Sequence, residues 1–362
     1  MPAEIIRISP ERPEPTIIAQ AAALIRAGQL VAFPTETVYG LGANAFDENA
    51  VAGIFKAKGR PAADPIIVHC AEELPADVVD WSRLSEAAQR SAQALQAAFM
   101  PGALTLVLPR GRRIPPIVTA GLPSVGVRMP SHPVAQALIR ASGVPIAAPS
   151  ANRFAHTSPT TAQHVYADLA DQIALILDGG AAQVGVESTI LDLCGERPRL
   201  LRHGGVPLEA LQACLARSGL PAHIEVVTRY VAEPSDALPA SGMLLKHYAP
   251  RAALTLYESA DDTRLRAALG AQARRLAAVE RVGLLIAAED APFLADLPNT
   301  CTEVVGSLSD LAGVAHNLFA ALRRLDDHGV TVILARSFPA TGIGAAVRDR
   351  LIRAASGRLV HL

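Results

Sequence analysis

Cysteine, aromatic side chains and lysine are all scarce in this chain of 362 residues. The four cysteines, Cys70, Cys194, Cys214 and Cys301, stand far apart and form no CxxC pair. That spacing argues against a zinc ribbon and against a disulfide-stapled fold. Aromatics make up 4% of the residues, so a core must be built from Ala, Leu, Val and Ile. Neither sign of charge dominates: 33 Lys plus Arg stand against 34 Asp plus Glu, a formal net of −1. Binding to nucleic acid by overall charge is disfavoured, while a local basic patch stays open. No apolar run approaches the roughly 20 residues of a membrane span. Met1 to Pro10 carries Glu4 and Arg7 and lacks the apolar stretch of a signal peptide. The expectation is a soluble, cytoplasmic protein with reduced thiols.

What is present is a chain long enough for two domains, half of it apolar. Gln29 to Phe33, Leu104 to Leu108, Val125 to Met129, Ile173 to Leu177 and Thr189 to Leu193 read as short buried strands. Helical patterns lie between them, at Thr16 to Ala27, Asp47 to Lys58 and Ser85 to Phe99. In the second of these Asp47 can cap, Val51, Ile54, Phe55 and Lys58 share a face, and Gly59 can end the helix. The mixture means an α/β fold, with an open twisted sheet. Past Ala216 the periodicity fails, and Pro234, Pro239, Gly242 and Pro250 mark a linker. Beyond it, strand-like Ala253 to Tyr257, Val282 to Ala287 and Val330 to Ala335 alternate with helix-like Thr263 to Val279 and Ser309 to Leu325. The expected divisions are a domain over 1–215, a linker over 216–251 and a smaller α/β domain over 252–362.

Of the 33 cationic residues only Lys56, Lys58 and Lys246 are lysines. Where arginine is so favoured, a retained lysine suggests a site that wants a compact ammonium. Each of the three lies in a segment of unusual composition. Phe33-Pro34-Thr35-Glu36-Thr37-Val38-Tyr39-Gly40-Leu41-Gly42 follows a strand and packs hydroxyls, a carboxylate, a phenol and two glycines into a turn, fitting either a loop whose backbone amides approach a ligand or a plain polar strand-to-helix turn. Lys56-Ala57-Lys58-Gly59-Arg60-Pro61 ends a helix with three cations, fitting either the helix dipole or a polyphosphate. No GxxxxGK[ST] loop occurs, so a nucleotide would be held in another way. Ala148-Pro149-Ser150-Ala151-Asn152, with Ser158-Pro159-Thr160 after it, ends a strand in a hydroxyl-rich loop. Gly185-Val186-Glu187-Ser188-Thr189 leads to Leu201-Arg202-His203-Gly204 on a neighbouring strand. Last, Lys246-His247-Tyr248-Ala249-Pro250 sits in the linker. Taken singly, each also has a plain reading as a turn, a cap or a packed connection.

In this order and spacing the segments resemble the threonylcarbamoyl-AMP synthases, the YrdC-like enzymes of tRNA modification, in their long two-domain form. The resemblance runs over nearly the whole chain and includes Gly342-Ile343-Gly344-Ala345-Ala346-Val347-Arg348-Asp349-Arg350-Leu351 near the end. It departs where the family commonly has Arg-Pro-Gly and this chain has Arg202-His203-Gly204, and where Ser-Pro-Gly-Met is replaced by Ala240-Ser241-Gly242-Met243. The resemblance implies a YrdC-like twisted open mixed sheet with flanking helices, plus a Rossmann-like C-terminal domain. It implies a nucleotidyltransferase that joins L-threonine, bicarbonate or CO2, and ATP, with Mg2+ on the phosphates and no side-chain metal motif. By carry-over, Lys58 and Arg60 are catalytic and meet ATP together with Ser124, Ser150, Ser158 and Arg202. Thr35, His69, Arg128, Ala148 and Ser188 are expected to contact threonine. Tyr39, Lys56 and Asn152 are supporting residues, and Lys246, His247 and Tyr248 form a lid over the pocket. The implied partners are the downstream tRNA threonylcarbamoyl-transfer machinery and, weakly, tRNA itself, with no membrane.

Two other readings compete. A YrdC-like surface can bind RNA without catalysis, but the chain through Leu215 holds 17 Lys plus Arg against 19 Asp plus Glu. The YrdC-containing hydrogenase-maturation carbamoyltransferases carry zinc-finger cysteine pairs and further domains, and this sequence has no such pairs.

Overall fold

The computed structural model describes residues 2–227, 238, 248–294 and 297–362. Contacts group the chain into two compact units, Met1–Phe154 with Ser158–Met243, and Ala155–Thr157 with Leu244–Leu362. The expected lid residues Lys246 and His247, and most of the expected linker, lie outside the described residues.

The first unit begins with β1 (Glu4–Arg7), α1 (Pro15–Arg26), β2 (Val31–Phe33), β3 (Gly40–Asn44) and α2 (Glu48–Lys58). It continues through β4 (Val68–His69), α3 (Glu86–Phe99), β5 (Leu104–Pro109), β6 (Ser124–Arg128), α4 (Pro133–Ser142) and β7 (Ile146–Ala147). It closes with α5 (Ala162–Leu169), β8 (Leu175–Asp178), β9 (Thr189–Asp192), β10 (Arg199–Arg202), α6 (Leu208–Arg217) and β11 (Glu225–Val226). These strands form one mixed sheet in the order β1-β8-β2-β3-β7-β4-β6-β5-β9-β10-β11. The five strands read from apolar runs appear within two residues of their expected bounds. Strands β1, β4, β7 and β11 have two to four residues each, too short to show an alternating pattern.

Helix α2 shows why the sequence was legible here. The Asp47 carboxylate accepts from the amides of Asn49 and Ala50 at 2.9 and 3.2 Å. Gly59 takes the left-handed conformation, φ 62°, that ends the helix without a Cβ clash. The buried stripe of Ala50, Val51, Ile54, Phe55 and Lys58 contains every residue of the predicted face. One core cluster joins this face to β3, β5 and α6. A second packs α1 and α4 against β2 and β8.

The second unit runs β12 (Ala253–Glu258), α7 (Asp262–Ala277), β13 (Val282–Ile286), α8 (Ala291–Leu294), β14 (Thr300–Val304) and α9 (Leu311–Asp327). Then come β15 (Val332–Arg336), α10 (Gly344–Ala354) and β16 (Leu359–His361). The five strands are all parallel, in the order β14-β13-β15-β12-β16. Helix α9 starts two residues later than expected because Asp310 makes the cap, accepting from the Gly313 amide at 3.0 Å. Tyr248 belongs to this unit. It is buried, with its ring 5.6 Å from that of Phe319 and 4.9 Å from the Arg350 guanidinium. No helix among the described residues is long and apolar enough to cross a membrane.

Candidate active site

Of the two readings of the segment after β2, the plain strand-to-helix turn does not hold: the segment is the loop of an antiparallel pair. Phe33 lies opposite Gly40 and Val31 opposite Gly42 in the β2–β3 ladder. Gly42 is in the strand because it has to be small: a Cβ there would stand 2.8 Å from the Phe33 ring and 2.9 Å from Ile146. Between the strands, the buried Thr35 hydroxyl donates to the Val38 carbonyl at 2.6 Å. Its single proton is thereby spent, so the 2.9 Å contact with Thr37 has the Thr37 hydroxyl as donor. Tyr39 donates its phenol proton to the Gly180 carbonyl at 2.6 Å. Burial, with Asp178 beside it, raises the phenol well above its ordinary range. Both side chains fix the loop.

The end of α2 presents the two cations expected to act on phosphate. Lys58 is buried while Lys56, two residues earlier, is exposed. The Lys58 ammonium donates to the carbonyls of Ser150 at 2.6 Å and Asn152 at 2.5 Å. It therefore pins the 150–152 loop and has a third N–H beyond these two acceptors. Burial, and then the nearby charge of Arg60, pushes its pKa well down. Arg60 is held by its own loop, pairing with the Asp64 carboxylate at 3.0 Å and donating to the Pro65 carbonyl at 2.7 Å.

Strands β4 and β6 run parallel and set His69 beside Arg128. Arg128 is buried, its Nη2 2.8 Å from the Glu36 carboxylate, and its Nε donates to the Gly102 carbonyl at 3.1 Å. Burial raises the Glu36 carboxyl, but the charge and hydrogen bond of Arg128 outweigh it and hold Glu36 below its usual range. Burial, reinforced by the Arg128 charge, drives His69 down to about 3. His69 is therefore neutral at physiological pH. It can orient a ligand but cannot store a proton between pH 5 and 8.

On the next strands, Arg202 donates from Nε to the Ser188 carbonyl at 3.1 Å and from Nη2 to the Ser188 hydroxyl at 3.2 Å. The Ser188 hydroxyl lies 2.7 Å from that of Thr105. Gly204 is forced here, since a Cβ would lie 2.3 Å from the carbonyl carbon of Ser188. The Ser158 hydroxyl donates to the Glu187 carboxylate at 2.5 Å.

The sheet brings His69, Arg128, Ser188 and Arg202 to one end of their strands. Ala148 leaves β7 by donating its amide to the Ile67 carbonyl, and Ser150 bridges Gly40. Ser124 opens β6 four residues before Arg128, about 13 Å away along the strand. Its ladder partner is Pro109, at the far end of β5. A cavity of about 330 Å3 lies at the far ends of β9 and β10, lined in part by Ser85, Leu193, Arg197 and His223, and gathers none of these residues. Sequence reasoning passed over Glu36, Glu187 and Thr105. The first two sit inside segments it had singled out. Thr105 is the one polar residue in the apolar run Leu104 to Leu108, which was its only signal.

Known proteins resemble the chain over nearly its whole length. Residues 23–204 match the family profile of the Sua5, YciO and YrdC proteins, described as telomere recombination. Residues 206–356 match the threonylcarbamoyl-AMP synthase C-terminal domain. The threonylcarbamoyl-AMP synthase of Bacillus subtilis is 44% identical, over 95% of this chain and 94% of its own. That of Schizosaccharomyces pombe is 38% identical, over 90% of this chain and 85% of its own. The crystal structure of Pyrococcus abyssi Sua5 complexed with L-threonine superposes with a TM-score of 0.88 at 41% identity, covering 99% of this chain and 100% of that one. With both its units matched along nearly their full length, the chain belongs to the threonylcarbamoyl-AMP synthase family in its long, two-domain form.

Proposed function

We propose that the chain makes L-threonylcarbamoyl-AMP from L-threonine, bicarbonate or CO2, and ATP, and releases pyrophosphate. Family membership supports the reaction. The observation that carries it to particular residues is the buried Glu36–Arg128 pair beside a neutral His69. A guanidinium already held by one carboxylate is oriented to receive a second, and the α-carboxylate of an amino acid has the right charge and shape. Thr35, Ala148 and Ser188 complete the threonine side. Lys58 and Arg60, backed by Ser124, Ser150, Ser158 and Arg202, meet ATP, while Asn152 holds the phosphate loop.

In the first step the threonine ammonium gives one proton to water, the free amine bonds to the carbon of CO2, and the nitrogen gives up a second proton to leave a carbamate. In the second, a carbamate oxygen bonds to the α-phosphorus and the bond to pyrophosphate breaks. Neither step needs a covalent bond to the protein, so holding the reactants together and neutralising phosphate charge are the enzyme's contributions. Among the described residues no three His, Cys, Asp or Glu side chains come close enough to hold a metal ion. Magnesium on this reading arrives as part of the ATP substrate. The product is an activated acyl adenylate, to be consumed by a transferase acting on tRNA in the cytoplasm. The test is pyrophosphate release with ATP, threonine and bicarbonate supplied singly and together. Release is expected only with all three, and equal release without threonine overturns the proposal.

A further inference from the structure

We infer that Thr105 is a positioning residue of the threonine site, acting through Ser188, an inference that rests on the function proposed above. Both hydroxyls are buried, at 0% and 1% exposure, with their oxygens 2.7 Å apart. Each hydroxyl has one proton, and only one of the two protons can lie between them. Thr105 has no other side-chain partner among the described residues. Whichever hydroxyl donates, one of the two buried protons is left without an acceptor among the described residues, which is costly. A ligand acceptor at Ser188, on the threonine side proposed above, removes that cost when Thr105 is the donor. Arg202 also donates to the Ser188 oxygen, and a guanidinium cannot accept. The Ser188 oxygen thus takes two hydrogen bonds, and its own proton has no acceptor among the described residues.

A buried donor left in that state calls for an acceptor from a ligand. In the β5–β6 ladder Leu106 faces Val127, and Thr105 and Arg128 are the next residue along on each strand. The Ser188 proton is accordingly carried at the start of β9, with β5 and its Thr105 between it and the strand of Arg128. The ligand atom it suits is an oxygen, from a carboxylate or carbamate, and not an ammonium. Thr105 selects this polarity without touching the ligand.

The experiment uses the full chain and compares Thr105→Val, which keeps shape and removes the proton, with Thr105→Ser, which restores it. Thr105→Val should raise the KM for threonine about fivefold to tenfold, the worth of one neutral hydrogen bond. The KM for ATP and kcat should stay within about twofold. Thr105→Ser should behave as wild type, and Thr105→Val should add nothing on a Ser188→Ala background. Thr105→Cys, a weak donor of similar shape, should fall between them and serves if the valine variant does not fold. Threonine kinetics of Thr105→Val equal to wild type, or an undiminished effect on Ser188→Ala, overturns the inference alone. Calorimetry showing no threonine binding by wild type overturns the functional reading, and this inference with it.

Discussion

Lowering the pH from 7 to 5 should destabilise the first unit through His69. The imidazole has an ordinary value of 6.5 and is pushed to about 3 in the fold, by burial first and by the Arg128 charge second. Between those two values the unfolded chain binds a proton that the folded chain does not. Stability therefore rises with pH across the window and is lost as pH falls below 6.5. Each pH unit is worth about 1.4 kcal/mol, so the step to pH 5 costs roughly 2 kcal/mol. With a urea slope of about 2–3 kcal/mol/M, that shifts the midpoint by roughly 0.7–1 M. The chain's one tryptophan, Trp81, lies in this unit and donates its indole N–H to the Leu74 carbonyl, so its fluorescence reports on the relevant transition. In His69→Gln the extra loss between pH 7 and 5 should disappear, whatever the variant's stability at pH 7. Equal shifts in the variant and the wild type would refute the assignment of a neutral, buried His69.

Three further outcomes are expected. Lys58→Met keeps the stem but leaves the Ser150 and Asn152 carbonyls without their donor. Pyrophosphate release should fall by roughly two orders of magnitude, about 3 kcal/mol of lost transition-state stabilisation, whereas activity within twofold would remove Lys58 from the site. Glu36→Gln leaves the Arg128 charge buried without its carboxylate, at a cost of roughly 3 kcal/mol, to be read from the Trp81 midpoint. Gly204→Ala pushes a Cβ into the Ser188–Thr189 backbone, which cannot move aside as a side chain would. A loss of roughly 2–4 kcal/mol is expected, and an unchanged midpoint would mean that the backbone yields.

The parts of the fold readable in advance are those where one local signal decides the outcome. Helix α2 had a cap, an apolar stripe and a stop, and all three agree in the structure. The β2–β3 loop is harder to read, because its glycines look like turn residues. Gly42 instead makes room for the Phe33 ring, a demand that comes from a strand partner and leaves no local trace. The site was legible as residue types in ordered segments, but the partners that fix their charge states were not. Arg128 stands 92 positions from Glu36, and Ser188 stands 83 from Thr105, so neither pairing is visible in the spacing. The acceptors of Lys58 and Thr35 are hidden for the same reason, since they are backbone carbonyls.

The contrast between Lys56 and Lys58 has a practical use. Two turn-mates on one helix carry the same amine, one facing solvent and the other enclosed, in a chain with a single further lysine. An acylating reagent applied under native conditions should mark position 56 at once and position 58 only as quickly as the enclosing structure opens. Mass spectrometry of that one delayed modification would then time the breathing of the catalytic half, with no engineered label and almost no background from other side chains.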